Sequence, residues 1–200
     1  MKTVRGMTAL TVLPANEVPW DDVRTVFGTR GDPSTCWCQF FMVDNKTWNA
    51  TSSADKERML CERVDADRPA PGVIAYLDGE PVGWCAVEPR VAYRRILTSR
   101  VAKGSVEQPA DEAVWAVTCF VVRVGFRRRG VATALLESAV AHAFAHGARV
   151  IEGYPVDTAE KKASSADLYH GGLSLFLAAG FELISRPTPG RVVVSLRADR

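Results

Sequence analysis

VWAVTCFVVRVGFRRRGVATALLESAVAHAFAHG, residues 114–147, is the stretch of sequence that decides the fold. Its first nine residues, Val114 to Val122, are almost all apolar and rich in β-branched and aromatic side chains, which predicts a strand covered on both faces. From Val131 onwards apolar residues recur every three or four positions, and Gly147 lies where a left-handed helix cap is expected. The stretch therefore predicts a buried strand, a tight basic turn and an amphipathic helix.

The turn between this strand and this helix is basic and contains one glycine, in the order Arg127-Arg128-Arg129-Gly130-Val131-Ala132. The start of a helix has unpaired backbone N–H groups and partial positive charge, so a loop that bends there can hold a phosphate. Glycine lets the main chain approach an anion closely, and the alanine two positions later adds only a methyl group. Neighbouring arginines can pair with phosphate oxygens. The turn therefore predicts an anion site.

The residues Arg127-x-x-Gly130-x-Ala132 resemble the R/Q-x-x-G-x-G/A signature of the GNAT superfamily of N-acetyltransferases. In that family the signature holds the pyrophosphate of acetyl-coenzyme A. The bare hexapeptide is a weak pattern, but it is more specific here because it follows a predicted strand and precedes a predicted helix. A solvated basic helix start is the alternative interpretation.

The other predicted elements follow the order of the GNAT layout along nearly the whole chain. They are a strand at 10–13, helices at 18–27 and 51–64, a hairpin of 73–77 with 81–87, a loop or short helix at 91–100, a strand at 149–154, a helix at 173–179, and paired strands at 181–184 and 192–196. The resemblance implies an α+β fold, an α/β sandwich in which helices flank a central mixed, mostly antiparallel sheet. It also implies a single domain over residues 1–200, with an acceptor-side helical part at about 15–70 and an acetyl-coenzyme A core at about 73–200.

The resemblance also assigns cofactor-binding residues. In the family, the strand before the phosphate turn splays from the next strand, and its backbone grips the pantetheine arm. Here that role falls to Phe120, Val121 and Val122, with the strand near Tyr154 as the other lip of the cleft. The residues expected around the pyrophosphate are Arg127, Arg128, Arg129, Gly130, Val131, Ala132 and Thr133. Phe176 is also included among the cofactor-binding residues.

Acetyl transfer from a thioester requires a neutral amine and benefits from a proton donor for the departing sulfur. Many GNAT proteins have a tyrosine where this chain has Phe176, so that role cannot be transferred. Tyr169 and Ser174 are the candidate donors, and tyrosine is the better acid because its pKa of about 10 is close to the value of about 8.5 for a thiol. The sulfur can alternatively take its proton from water. Glu88 and Glu112 are candidate bases, although a solvated charge is the commoner role of such residues.

The remaining chemically interesting residues do not predict a metal site. Cys36 and Cys38 lack a second pair of ligands nearby, and His142 and His146, one helical turn apart, lack a third and are expected at the surface. Cys119 suggests a covalent acetyl-cysteine route, but a small buried thiol is the stronger expectation. Acetyl-coenzyme A is therefore the expected co-substrate, without a metal.

The acceptor side is the least informative part of the sequence. Trp37, Phe40, Phe41 and Trp48 form either a wall of the acceptor pocket or part of the core, and the two interpretations are about equally supported. The acceptor is expected to be a small-molecule or peptide amine, and its identity is open. A homodimer is also left open.

The composition excludes several other classes of protein. The net charge of +2 comes from 25 basic and 23 acidic residues, and no stacking aromatics alternate with the arginines of the turn, so neither nucleic acid nor a membrane surface is an expected partner. The five cysteines form no even framework of pairs, which favours a reducing cytoplasm. The sequence therefore predicts an N-acetyltransferase that moves an acetyl group from acetyl-coenzyme A to a primary amine by direct attack. The alternative is a catalytically weak or inactive GNAT-fold protein that binds coenzyme A or an acyl ligand, which the phenylalanine at position 176 favours.

Overall fold

Seven strands form one mixed sheet in a computed structural model that describes residues 9–66, 68–159, 164 and 167–198. The strands are β1 Leu10–Pro14, β2 Gly72–Leu77, β3 Glu80–Pro89, β4 Val114–Val122, β5 Val150–Gly153, β6 Glu182–Thr188 and β7 Arg191–Arg197. Their order across the sheet is β1-β2-β3-β4-β5-β7-β6, and every neighbouring pair is antiparallel except β4 and β5. This confirms the predicted mixed, mostly antiparallel sheet.

Helices cover both faces of the sheet. The α-helices are α1 Trp20–Phe27, α2 Asp32–Cys36, α3 Asn45–Ala50, α4 Ser53–Val64, α5 Arg94–Thr98, α6 Val131–Ala145 and α7 Leu173–Ala178. Helix α4 begins as its sequence predicts, because the Ser52 hydroxyl accepts a 3.1 Å bond from the Asp55 amide. Helices α2 and α3 were not predicted, since turn residues dominate the sequence around them. The small and polar residues of 158–166 also predict a loop, and part of that segment lies outside the described residues.

Helix α6 packs on one face of the sheet. The predicted apolar stripe is buried, including Val131, Leu135 and Ala139. A side chain at Gly83 of β3 would place its Cβ 2.8 Å from Val131 Cγ1 and 2.9 Å from Leu135 Cδ1, so glycine is what lets the helix approach so closely. At the other end, Gly147 has a φ of +88°, as expected for a left-handed cap.

The opposite face of the sheet carries a second core beneath α1 and α4. Trp37 is buried there and stacks on Phe27, with ring centroids 4.9 Å apart. Trp84 and Leu60 belong to the same cluster. Of the two interpretations offered for Trp37, core packing is therefore correct.

Strand β4 contains a bulge, which decides which of its side chains face which side of the sheet. Val87 of β3 pairs with Val117, whereas Ala86 pairs with Cys119, so Thr118 is an extra residue in β4. Side chains alternate along a strand, and one extra residue reverses the alternation. Val117, which precedes the bulge, and Phe120, which follows it, therefore lie on the same side of the sheet although they are three residues apart. Both pack beneath α6.

Beyond the bulge β4 separates from β5. The parallel pairing covers only 114–117 with 150–153. The Thr118 carbonyl instead contacts His170 Nδ1 at 3.0 Å, from the 3₁₀ turn Asp167–His170. The sheet is therefore open on this side of β4, which is the separation that the GNAT resemblance implies.

A charged network is buried at the end of β5. Glu152 accepts bonds from Arg90 Nη1 at 2.9 Å and from the Tyr154 hydroxyl at 2.8 Å. Burial, and then the charge of Glu152, raises the pKa of Tyr154 well above its ordinary value. The Tyr154 hydroxyl is therefore bound inside the core. That the strand near Tyr154 forms the other lip of the cleft stays a prediction. Glu88 is also buried, in an ion pair with Arg63, so the prediction of a solvated charge was wrong.

Gly153 is expected to tolerate no side chain, because its Cβ would lie 2.3 Å from the Phe176 ring. Gly153→Ala should lower the free energy of unfolding by about 1–3 kcal/mol, the usual cost of overpacking a core. Urea unfolding measures this. Combining it with Phe176→Leu should recover part of the loss, and equal stability of Gly153→Ala and the wild type would contradict this packing.

Among the described residues, no helix is both long enough and apolar enough to cross a bilayer.

Candidate active site

A groove of about 370 Å³ runs from the open side of β4 to the beginning of α6. It brings together most of the residues predicted to bind the cofactor, namely Phe120, Val122, Arg127, Arg128, Gly130, Val131, Ala132 and Thr133. Val121 does not line it, because the bulge turns that side chain toward the opposite core. Arg129 does not line it either, and its guanidinium lies over the Phe126 ring at 5.5 Å.

The turn at the end of the groove has the backbone of an anion site. Gly130 adopts a left-handed φ of +78°, and no side chain caps the first turn of α6. A Cβ at Gly130 would meet none of the described residues within 4 Å, so the chain is not crowded at this turn. Arg128 has a φ of +61°, a strained conformation for a residue with a side chain.

The arginines of the turn carry uncompensated positive charge. Arg127, Arg128 and Arg129 are exposed, and no described acidic residue forms an ion pair with them. Arg127 Nε makes only a long, 3.4 Å bond to the Val122 carbonyl. Charged donors beside an open helix start fit a diphosphate group.

A second cavity, of about 390 Å³, lies on the other side of β4. Its walls include Phe27, Phe40, Phe41, Trp48, Cys36, Cys38, Cys119 and Val121, with Asp32, Asp167, Tyr169, His170 and Arg191 as the ionisable side chains other than the thiols. Three of the four aromatic residues that were expected at either a pocket wall or the core are therefore at a pocket wall. Side chains on the two sides of β4 line different spaces: Cys119 and Val121 face this cavity, and Phe120 and Val122 face the groove.

Tyr169 is shared by the two spaces, because it lines both the groove and the aromatic cavity. Burial raises the pKa of its hydroxyl, and the negative charge of Asp32 raises it further. The phenol therefore stays protonated at neutral pH and can donate a proton. Ser174 is exposed and lines neither space, so the structure favours Tyr169 of the two predicted donors.

Phe176 does not contact the groove, contrary to its inclusion among the cofactor-binding residues. Its side chain is fully buried, with its ring 6.0 Å from that of Phe120 and 5.1 Å from that of Phe181. Gly153 and Gly171 leave the space that the ring occupies. Phe176 is therefore a core residue that packs against Phe120, one of the residues lining the groove.

Phe176→Tyr is therefore expected to lower stability without raising turnover. A hydroxyl added inside this core would cost about 1–3 kcal/mol if it found no partner. Urea unfolding and acetyl-coenzyme A turnover measure the two effects. A faster enzyme of unchanged stability would show that the ring reaches the reacting atoms after all.

His170 is a neutral side chain in the aromatic cavity. Burial, together with the charge of Arg191, lowers the pKa of His170 to about 4. Its Nδ1 lies 3.0 Å from the Thr118 carbonyl, which can only accept, so Nδ1 carries the hydrogen and Nε2 is left as an acceptor. Asp167 beside it forms an ion pair with Arg191 at 3.2 Å. Bonds from Ser164, followed by that charge, lower the pKa of Asp167 to about 2.

Two of the three cysteines of the cavity, Cys36 and Cys38, are held as neutral thiols. Burial raises the pKa of Cys36 to about 11, and a hydrogen bond with Cys119 is the main reason that the pKa of Cys38 is raised. Cys119 is only partly buried, so the expectation of a buried thiol was wrong, and it contacts a second thiol rather than a base. The described residues form no group of three or more His, Cys, Asp or Glu suited to a metal.

His142 was expected at the surface, which was wrong. It is buried, with its Nε2 3.1 Å from the Ala70 carbonyl and its ring edge-on to Trp115 at 6.0 Å. Desolvation lowers its pKa below the ordinary value. It therefore belongs to the packing between α6 and the sheet.

Sequence reasoning missed the residues that only the fold brings to the site. In the groove these are Phe126, Leu168, Gly171, Gly172 and Leu175, and in the cavity Asp32, Asp167, His170 and Arg191. Most of them belong to loops or to the 3₁₀ turn, where periodicity gives no signal. Asp32 had a local signal, since it precedes a proline at a helix start, but that indicates only a turn.

Comparison with known proteins shows the family to which this chain belongs and the fold that it shares with solved structures. The sequence model of the acetyltransferase (GNAT) family matches residues 36–171. A search of curated proteins found no match. Among solved structures, an aminoglycoside acetyltransferase in complex with coenzyme A is similar, at 17% identity and a TM-score of 0.55, covering 94% of this chain and 95% of that one.

Two bacterial structures show the same similarity of fold. An N-acetyltransferase from Staphylococcus aureus Mu50 has 11% identity and a TM-score of 0.56, over 94% of this chain and 98% of the other. An acetyltransferase of the GNAT family from Streptococcus pneumoniae has 14% identity and a TM-score of 0.54, over 96% of this chain and all of the other. At these identities the resemblance concerns the fold alone.

Proposed function

Because the chain belongs to the GNAT family of acetyltransferases, whose members transfer an acyl group from acyl-coenzyme A, we propose that it acetylates a primary amine by direct attack on acetyl-coenzyme A. The observation that carries the proposal is the meeting of two spaces at Tyr169. One is a groove that ends at an open, basic helix start, and the other is a cavity of a size suited to an acceptor.

The groove supports the first half of the proposal. Amides at the start of α6 and the side chains of Arg127 and Arg128 would hold the diphosphate. The open side of β4, next to Phe120 and Val122, offers a strand edge on which the pantetheine arm can lie. The amides of the pantetheine arm would thus meet the open strand edge, and the charged diphosphate would meet the basic helix start.

The chemistry requires little from the protein beyond positioning. The ammonium form of the acceptor first loses one proton to become a neutral amine. Its nitrogen then forms a bond to the acetyl carbonyl carbon and loses a second proton to solvent while the carbon–sulfur bond breaks. The sulfur leaves with the bonding electrons and takes a proton, which the protonated hydroxyl of Tyr169 can donate. Solvent returns that proton to Tyr169. The products are an amide and a free thiol.

Release of thiol from acetyl-coenzyme A tests the proposal. The full chain should release thiol continuously with at least one amine in a panel, and mass spectrometry should find that amine 42 mass units heavier, which is the mass of an added acetyl group less one hydrogen. The alternative is a protein that binds the coenzyme without turnover, which the absence of a tyrosine at Phe176 favours. Calorimetric binding of coenzyme A with no thiol release from any amine would support that alternative.

The five cysteines are all free, which supports the cytoplasmic location that we propose with this function.

A further inference from the structure

The aromatic cavity has a composition that selects among amines. We propose that the acceptor is a small monocationic amine carried on an aromatic body, with the ring against Phe40, Phe41 and Trp48 and the amino group directed by Asp32. This inference rests on the proposed function and adds the class of acceptor to it. The cavity, of about 390 Å³, has the size of a small-molecule site.

The three rings form one preorganised wall. Phe40 lies edge-on to Phe41 at 5.1 Å and edge-on to Trp48 at 5.4 Å. Edge-to-face contacts of this kind fix the orientation of each ring, so the wall costs little to order when a ligand binds. A flat apolar body can cover it without leaving unpaired polar groups.

The same rings are poorly suited to hold an ammonium group. Lys56 Nζ lies 3.7 Å from the centroid of the Trp48 ring, and the guanidinium of Arg95 lies 4.0 Å from that of Phe40. Neither cation lines the cavity, although each lies over a ring of its wall. A ring that already attracts one cation binds a second cation less strongly. This wall is therefore better suited to stack on an apolar ring than to hold a charged amine.

The charge of the cavity leaves a place for one positive group. Asp167 is neutralised by Arg191, whereas no described residue bonds to or pairs with the carboxylate of Asp32. Asp32 is close enough to Tyr169 for its charge to raise that residue's pKa. Asp32 and Tyr169 both line this cavity, so an ammonium group attracted to Asp32 would lie in the same cavity as the Tyr169 hydroxyl.

The rest of the lining argues against polar or multiply charged acceptors. His170 is neutral, Asp167 is paired with Arg191, and Cys36 and Cys38 have raised pKa values, so the lining offers no second unpaired carboxylate for another ammonium group. Burying an unpaired charge or an unbonded hydroxyl in such a cavity is costly. Polyamines, aminosugars and lysine-bearing peptides should therefore be poor acceptors.

A matched series of amines tests the inference. With the full chain and acetyl-coenzyme A, kcat/KM for 2-phenylethylamine should exceed that for ethanolamine by roughly 10- to 100-fold, since burying a phenyl group stabilises the bound state by that much. Spermidine, kanamycin and a lysine-containing peptide should each be poorer than 2-phenylethylamine. Equal or better turnover of any of these four would overturn the inference and leave the proposed transferase function standing.

Two variants connect the preference to the named residues. Trp48→Leu should reduce the ratio of kcat/KM for 2-phenylethylamine over ethanolamine by about 5-fold or more, because part of the ring contact is lost. Trp20→Leu is the control, since Trp20 is also a half-buried tryptophan but does not line the cavity. Asp32→Asn should raise KM for 2-phenylethylamine several-fold and leave KM for acetyl-coenzyme A unchanged. An unchanged ratio in Trp48→Leu, or unchanged amine KM in Asp32→Asn, would count against the assignment.

Binding gives a readout that does not depend on turnover. Calorimetry should detect 2-phenylethylamine binding to the protein saturated with coenzyme A, and Trp48→Leu should weaken it while Trp20→Leu does not. If no amine causes thiol release from acetyl-coenzyme A but this binding is present, the assignment of the cavity to an aromatic amine stands and the proposed transferase function is wrong. If 2-phenylethylamine does not bind, the aromatic assignment of the cavity is wrong.

Discussion

Gly130→Val is expected to abolish measurable binding of coenzyme A while the protein remains folded. A Cβ at Gly130 would point into open space at this turn, and we expect the larger valine side chain to fill space that a phosphate bound there needs. Losing two or three charge-assisted bonds of about 1.5–3 kcal/mol each corresponds to roughly a 1000-fold loss of affinity. Calorimetric titration with coenzyme A measures it.

The control for this variant is Gly147→Val. Gly147 also has a left-handed φ, of +88°, and open space around its Cβ, but it lies at the opposite end of α6. Both substitutions should cost about 1–2 kcal/mol of backbone strain, and only Gly130→Val should lose the ligand. Equal affinity in the two folded variants would mean that the diphosphate does not bind at this helix start.

Tyr169→Phe is expected to lower kcat by about 100-fold, within the range observed when a proton donor is removed. The ring that lines both spaces is kept, so KM for acetyl-coenzyme A should change little. In the wild type, the raised pKa of Tyr169 keeps the acid form present as the pH rises, so the rate should not fall until the pH exceeds the ordinary tyrosine value of about 10. Steady-state kinetics across pH measures both effects.

Ser174→Ala is the comparison for Tyr169→Phe, because Ser174 was the other predicted donor and is exposed away from both spaces. Its rate should equal that of the wild type. If Tyr169→Phe lost less than twofold in kcat, the departing sulfur would be taking its proton from water.

The parts of the fold that could be predicted are those in which local chemistry and tertiary structure agree. The strand Val114–Val122 and the helix starting at Val131 match the structure because their periodicities are long and the helix ends in a glycine of left-handed conformation. The hairpin around Asp78 and Gly79 was equally clear, and both residues have the positive φ that such a turn requires.

The parts that could not be predicted depend on contacts between distant segments. Phe176 occupies the position at which many GNAT proteins have a tyrosine of the site, but its ring fills the space beside Gly153. The residues next to Phe176 in the sequence do not indicate this packing. Glu88 and His142 are polar residues whose burial depends on Arg63 and on the Ala70 carbonyl. The cavity is assembled from the segments around Asp32, Trp48 and His170, which no single periodicity relates.

The extra residue Thr118 in β4 has a consequence for how such an enzyme can change its substrate. After the bulge, Cys119 and Val121 face the aromatic cavity and Phe120 faces the groove. Under the proposed function, substitutions at the first two positions would change the choice of acceptor and leave the recognition of the coenzyme unaltered. A deletion of one residue at the bulge would exchange the two sets and disable both partners together. Point substitution, rather than a change in strand length, is therefore the evolutionary route open to this segment.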